Sequence, residues 1–328
     1  MSAALDAVGS VEFSLGDYRT SSEITERRLE LLDRIANPWE IGDTLAMGAW
    51  NFGFVGDFPR ARELAQRGIE GSNNEARNVI LHNTAWASYA DFWLGNWDRV
   101  VVELAATAMA AMGGDASEPP YFSGHQFGTE AFIHAARHDV DMAQSSELLT
   151  TMVDRAQAMA GPQGGLMFKA WEAWIRARGG DVTEALLRLE ILSPQMMVRP
   201  LVDVVRASVL LDARMFEDTE SFITDSRAYA DRAGIIALPP HLDRLQGAAL
   251  ISTKHPAAFD LLDRARSTFT DLGMRWEVAR TDLWLAEGFI EAGDRAKAAA
   301  ALDSTRAVLD ELCSLLEIER ARTLLGRL

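Results

Sequence analysis

The sequence has one cysteine, Cys313, among 328 residues. A single thiol excludes an internal disulfide and a cysteine-based zinc site. It predicts a reducing, cytoplasmic setting. Lysine is scarce as well: only Lys169, Lys254 and Lys297 stand beside arginine among the 32 basic residues. Acids number 48, so the formal charge is −16. A surface that negative repels phosphate backbones and anionic bilayers, which argues against nucleic acid and membrane as direct partners. No apolar run reaches the ~18–20 residues of a membrane span. The opening MSAALDAVGS lacks the basic start and apolar core of a signal peptide. Strand signals are nearly absent. Also missing are a phosphate loop Gly-x-x-x-x-Gly-Lys-Ser/Thr, a dinucleotide Gly-x-Gly-x-x-Gly, a nucleophile elbow Gly-x-Ser-x-Gly and a His-Glu-x-x-His pair. No cofactor is therefore implied, and no metal site.

What the chain does contain is a recurring turn. It reads Gly16-Asp17-Tyr18, Gly56-Asp57-Phe58, Gly95-Asn96-Trp97, His138-Asp139-Val140, Gly180-Asp181-Val182 and Gly293-Asp294-Arg295. Arg214-Met215-Phe216 and His255-Pro256-Ala257 are weaker copies. The copies recur about every 40 residues, a helical-repeat period. Glycine takes the left-handed conformation that ends one helix, and aspartate or asparagine caps the next. The aromatic that often follows is expected to pack back on the first helix. Eight residues before each turn's middle residue stands a small side chain: Ala49, Ser88, Ala131, Ala173, Ala207, Ala248 and Ala286. All ten prolines fit outside helix interiors, Pro59 and Pro256 in first turns and the rest, Pro162 among them, between helix pairs. Gly161 ends a second helix, and residues 113–120 form the clearest loop.

The fold predicted is all-α: a right-handed superhelix of about eight helix–turn–helix pairs in one solenoid, residues 1–328. The pairs span approximately 2–35, 39–71, 75–113, 120–160, 163–193, 198–233, 238–272 and 275–312, with a capping helix at 314–328.

A small residue, then Gly-Asp-aromatic, then alanine, resembles the tetratricopeptide repeat. The segment from Asp271 through Trp276, Trp284 and Gly293-Asp294 to Ala298 carries the likeness best. Most units here are longer than that family's repeat. The long units are similar to the repeat regions of bacterial ATP-dependent LuxR-type regulators and multidomain adenylate/guanylate cyclases. That resemblance implies ligand or partner sensing in signalling or transcriptional regulation, by a free-standing sensor or by a piece of a larger regulator.

Family-like packing puts the first helix of each pair on the concave side. Fixed offsets before the turn then aim Trp50, Tyr89, Phe132 and Trp174, His82 and His125, and Trp93 into a groove. An aromatic strip there suits an apolar small molecule, a peptide or a protein segment; the same side chains equally suit a tight core. A polar cluster is expected beside it: Glu130 and His134, Glu172 and Arg176, each in the favourable i,i+4 order, with Asp91 and Arg206 in adjacent units. Cys313, among Leu312, Leu315 and Leu316, reads as a small buried hydrophobe. The expectation is a non-enzymatic recognition module binding in the concave groove. The alternatives are a protein–protein scaffold, or an enzyme using the Glu/His/Arg cluster for acid–base chemistry.

Overall fold

The structure, a computed structural model, describes residues 1–72, 77–114, 120–138, 141–160, 165–217 and 219–328. Asp139 and Val140 of the fourth turn, most of the 113–120 loop, Gly161 and Pro162 lie outside the described residues. Among those described there are seventeen α-helices and no strand. They follow as α1 (Ser2–Leu15) and α2 (Tyr18–Leu29), α3 (Pro38–Val55) and α4 (Phe58–Gly71), α5 (Arg77–Leu94) and α6 (Ala105–Ala111), α7 (Gly124–Ala136) and α8 (Met142–Ala160). Then come α9 (Leu166–Arg178) and α10 (Val182–Leu192), α11 (Arg199–Asp212) and α12 (Thr219–Ala233), α13 (Leu238–Ser252) and α14 (Ala257–Asp271), α15 (Arg275–Glu291) and α16 (Arg295–Leu312). Last is α17 (Leu315–Leu325). Consecutive helices pack as neighbours, the arrangement of an all-α solenoid. A wide π-type turn, Arg99–Leu104, leads into α6. No helix among the described residues is long and apolar enough to cross a membrane.

The turns work as their residues dictate. Gly16, Gly56, Gly95, Gly180 and Gly293 all have positive φ. Asp17, Asp57 and Asp294 accept hydrogen bonds from the backbone N–H three residues on, at 3.0, 3.2 and 3.1 Å. Asp181 makes no such cap and pairs with Arg176 at 3.3 Å instead. Where glycine is missing, the chain keeps the left-handed step anyway: His138, Arg214 and Lys254 have φ of 55°, 54° and 55°. In the seventh turn the left-handed residue is therefore Lys254, one position before His255, which the sequence copy puts in the glycine place. The turn aromatics do pack back in two cases. Tyr18 meets Phe13 at 4.7 Å, and Trp97 stacks on Phe92 at 5.8 Å and donates its indole N–H to the Phe92 carbonyl. Phe58 reaches forward instead, stacking on Trp93 of the next unit at 5.7 Å.

The second helices are one-sided. In α4 the buried residues are Phe58, Ala61, Leu64, Ala65 and Gly68, one stripe of a helix. The first helices are different. From Thr44 to Val55 α3 buries all but Met47, on every side. The small residues before each turn, Ala49 to Ala286, are all buried, and they let neighbouring helices approach.

The all-round burial has a physical cause: the coil closes on itself. Helix α3 touches α11, and α5 touches α15. The Ile236 backbone N–H donates to the Val55 carbonyl at 2.7 Å. Arg275 donates to the Gly95 carbonyl at 3.3 Å, and Arg137 to that of Leu312 at 3.0 Å. An extended repeat array has contacts only between neighbours; here units two and three meet units six to eight. The accessible surface, 13944 Å², is close to the ~13,400 Å² expected of a compact globule of this mass.

Candidate functional site

Closure decides the fate of the aromatic strip. Trp50, Tyr89, Trp93, Phe132 and Trp174, with His82 and His125, are all buried. Apart from Trp174, which also borders a cavity between α9, α11, α15 and α17, they line no open groove, which corrects the concave placement expected from their offsets. Their partners are one another. Trp50 stacks on Trp86 at 5.4 Å, Trp93 on Trp174 at 5.9 Å, and Phe132 meets Trp174 at 4.5 Å. Across the axis Trp276 closes on Trp174 and Phe132 at 6.0 and 5.6 Å. The void beside Tyr89 and Trp93 is only about 10 Å³, room for one water at most.

The histidines belong to this core. Trp171 donates its indole N–H to His125 Nδ1 at 3.2 Å, so the ring proton sits on Nε2. Burial pulls the His125 imidazole down to about 3 and that of His82 to about 4. Both are neutral at physiological pH and stacked among rings, His82 against Phe122 at 4.6 Å.

The six polar candidates do not converge. Asp91, wholly buried, is held by Arg62 at 2.9 Å, by Asn96 at 2.7 Å and by Arg99. Glu172 accepts from Arg176 at 2.7 Å, Arg188 at 2.6 Å and Thr150 at 3.1 Å. Glu130 is pushed up by burial, with His134 pulling against it. Arg206 lies over the Phe222 ring at 4.8 Å. Each set stays inside its own unit and its neighbours. The same device recurs at Asp43, held by Arg28 at 2.8 Å, and at Asp243 and Asp282, each eleven residues before a left-handed turn residue, held by Arg227 at 2.7 Å and Arg266 at 2.5 Å. These are latches between first and second helices. Among the described residues no group of three His, Cys, Asp or Glu could hold a metal ion. Cys313 is exposed, not buried; it closes α16 in the left-handed conformation with φ 54°. Leu312 and Ser314 take the interior positions on either side.

The chemistry gathers elsewhere, where α9, α11, α15 and α17 meet around a cavity of about 400 Å³. Four arginines line it: Arg178, Arg214, Arg280 and Arg320. Arg178 bonds Glu317 through both nitrogens at 2.9 and 3.0 Å. Arg280 bonds Asp212 at 2.7 and 2.9 Å and reaches Glu277 at 3.3 Å. Arg214 bonds Glu287 at 2.9 and 2.8 Å, and Arg320 shares the same carboxylate at 2.9 Å. A fifth guanidinium, Arg244, stands behind the wall against Glu277 and His241. Apolar walls come from Val182, Val209, Leu283 and Leu316, and from the indoles of Trp174 and Trp284.

The pairing is strong enough to overcome burial. Burial pushes the Glu277 and Glu317 carboxyls up, yet their arginines hold both down at about 2. Burial pulls Arg244 down to about 10 and lowers Arg320 too. Sequence reasoning missed this site. Its arginines sit at unrelated distances from their turns, and Arg320 lies in the cap, so no repeat offset gathers them. A second hollow, about 680 Å³, lies over the α8 face beside Arg176, Asp181 and Met142.

No family model matches this chain, and no curated protein matches it.

Proposed function

We propose that this chain is a non-enzymatic recognition module of the tetratricopeptide-like kind, cytoplasmic, which holds a small ligand in the cavity between α9, α11, α15 and α17. One observation carries the reading. The inner face of the coil is packed ring against ring through units two to five, but between these four helices it opens into about 400 Å³ lined by both charged and apolar groups. Ligand sites have this composition: apolar walls with a few convergent polar groups. The helices come from units five, six and eight and the cap, so occupancy there biases the pitch of the closed coil, the physical basis of a sensor. The resemblance to repeat regions of bacterial regulators supports a place in signalling or transcriptional control. Against an acid–base enzyme using the Glu/His/Arg cluster stand two of its acids: Asp91 and Glu172 are held in separate ion pairs, one in unit three and one in unit five.

The test is native mass spectrometry of the chain purified from its own host, beside its denatured mass. A bound small molecule is expected on the wild type and not on Ala177→Phe, which fills the cavity from a half-buried lining position. A bare native mass equal to the denatured one overturns the reading. A protein–protein scaffold is the second reading, favoured by Leu187 and Ile191, which stand 52% and 67% exposed one turn apart on α10. It predicts instead a partner lost on Leu187→Glu.

A further inference from the structure

We infer that the cavity between α9, α11, α15 and α17 takes a small organic monoanion, a carboxylate on an apolar body, with Arg320 as its principal cation. This rests on the recognition reading above and names the ligand class.

Two ion-paired groups stand around the cavity and hold five guanidiniums between them: Arg178, Arg244 and Arg280 in one, Arg214 and Arg320 in the other. Against them stand four carboxylates: Asp212, Glu277, Glu287 and Glu317. His241 adds nothing, because burial keeps it neutral. One positive charge is left over, inside a chain whose formal charge is −16. The surplus lies on Arg214 and Arg320, which share the one carboxylate of Glu287 at the cavity wall, and one anion balances it.

Among the described residues Arg320 bonds only Glu287, and that carboxylate is already gripped by both terminal nitrogens of Arg214. Arg320 Nε has no acceptor among the described residues. Its guanidinium carbon stands 3.9 Å from the Trp284 ring centroid, and the side chain lines the cavity. A guanidinium that makes a single ion pair has donors left for a second carboxylate.

Beside these charges the cavity is apolar: Trp174 and Trp284, 0% and 2% exposed, both line it. The walls of Val182, Val209, Leu283 and Leu316 call for an apolar remainder. Bare inorganic anions lack that remainder, and sugars lack both the charge and the apolar body.

The experiment is isothermal titration of the full chain with phenylacetate, one carboxylate on an aromatic body, against phenylacetamide, its neutral counterpart of the same shape. Phenylacetate is expected to bind saturably by millimolar concentration. The amide is expected at least about tenfold weaker, the difference a charged hydrogen bond makes. Inorganic phosphate is expected to bind more weakly than phenylacetate. Arg320→Gln removes the surplus charge and is expected to weaken phenylacetate at least about tenfold while leaving the amide unchanged. The acid–amide comparison uses the wild-type chain, so it stands even if that variant fails to fold. Equal binding of acid and amide, phosphate as tight as phenylacetate, or no heat from phenylacetate overturns the monoanion. Amide binding without acid preference leaves the recognition reading standing; a bare native mass from the host removes that reading as well.

Discussion

Gly56 and Ala237, from units two and seven, are in such close contact that a Cβ on Gly56 would stand 2.3 Å from the Cβ of Ala237. That contact joins two ends of the inner face and shows the coil closing across its own axis. It also separates two roles of a turn glycine, since Gly56 and Gly180 share nearly the same backbone, φ 99° and 98°. Nothing lies within 4 Å of a Cβ built on Gly180. Gly180→Ala is expected to cost only the left-handed backbone penalty, ~1–2 kcal/mol. Gly56→Ala is expected to cost that and ~1–3 kcal/mol more for overpacking. Urea unfolding of the two variants checks the difference; equal losses would mean that units two and seven do not touch.

The reverse substitution tests the turns that lack glycine. Lys254 sits at φ 55° with its side chain exposed. Lys254→Gly is expected to stabilise the chain by ~0.5–1 kcal/mol, part of the left-handed penalty being offset by glycine's freedom in the unfolded state. His255→Gly, one residue on, is expected to give no gain. Thermal unfolding of both variants tells them apart.

Mild acid is expected to destabilise the protein through its buried histidines. His82, His125 and His241 sit at about 4, 3 and 3, all lowered first by burial, against ~6.5 in the unfolded chain. Between those values the unfolded state binds the proton and the folded state does not. Stability therefore rises with pH in that window and falls as pH drops below ~6.5. Each histidine contributes on the order of 2 kcal/mol between pH 6.5 and 5. Denaturant unfolding at pH 7 and pH 5 measures the slope, and His125→Gln is expected to reduce it by about one histidine's share. A flat profile from pH 7 to 5 would contradict the enclosed placement of these rings.

The Asp91 latch offers a test of structural against catalytic use. Its carboxylate is wholly buried and its three partners bind it within 2.9 Å. Asp91→Asn is expected to destabilise the fold by ~1–3 kcal/mol and to leave ligand affinity unchanged, because the cavity lies elsewhere. Titration with phenylacetate beside urea unfolding reads both effects.

Much of the fold was legible because it is local. A glycine or its stand-in ends a helix, an aspartate starts the next, and an alanine eight residues earlier lets helices touch; each of these acts within one unit. The closure was not legible in the same way. Gly56 meets Ala237 across five units, and no spacing signals such a contact. One trace was present: α3 is apolar around its whole circumference, as in a helix enclosed on every side. Read so, Trp50 and its neighbours belong to a core, not to a groove. The arginine-lined cavity left no periodic trace, because Arg178, Arg280 and Arg320 come from different positions in their units. Cys313 misled for a simpler reason: Leu312 and Ser314 on either side point inward, while the turn aims Cys313 outward and leaves Leu315 exposed as well.

The central claim is that the coil is closed, since the enclosure of the aromatic strip and the position of the cavity both follow from it. Small-angle X-ray scattering of the chain in solution tests this most directly. The account predicts a radius of gyration of about 20 Å, that of a compact protein of this length, with a single symmetric distance distribution. A markedly larger radius with an elongated distribution would show an open superhelix, expose the strip from Trp50 to Trp174, and contradict the account.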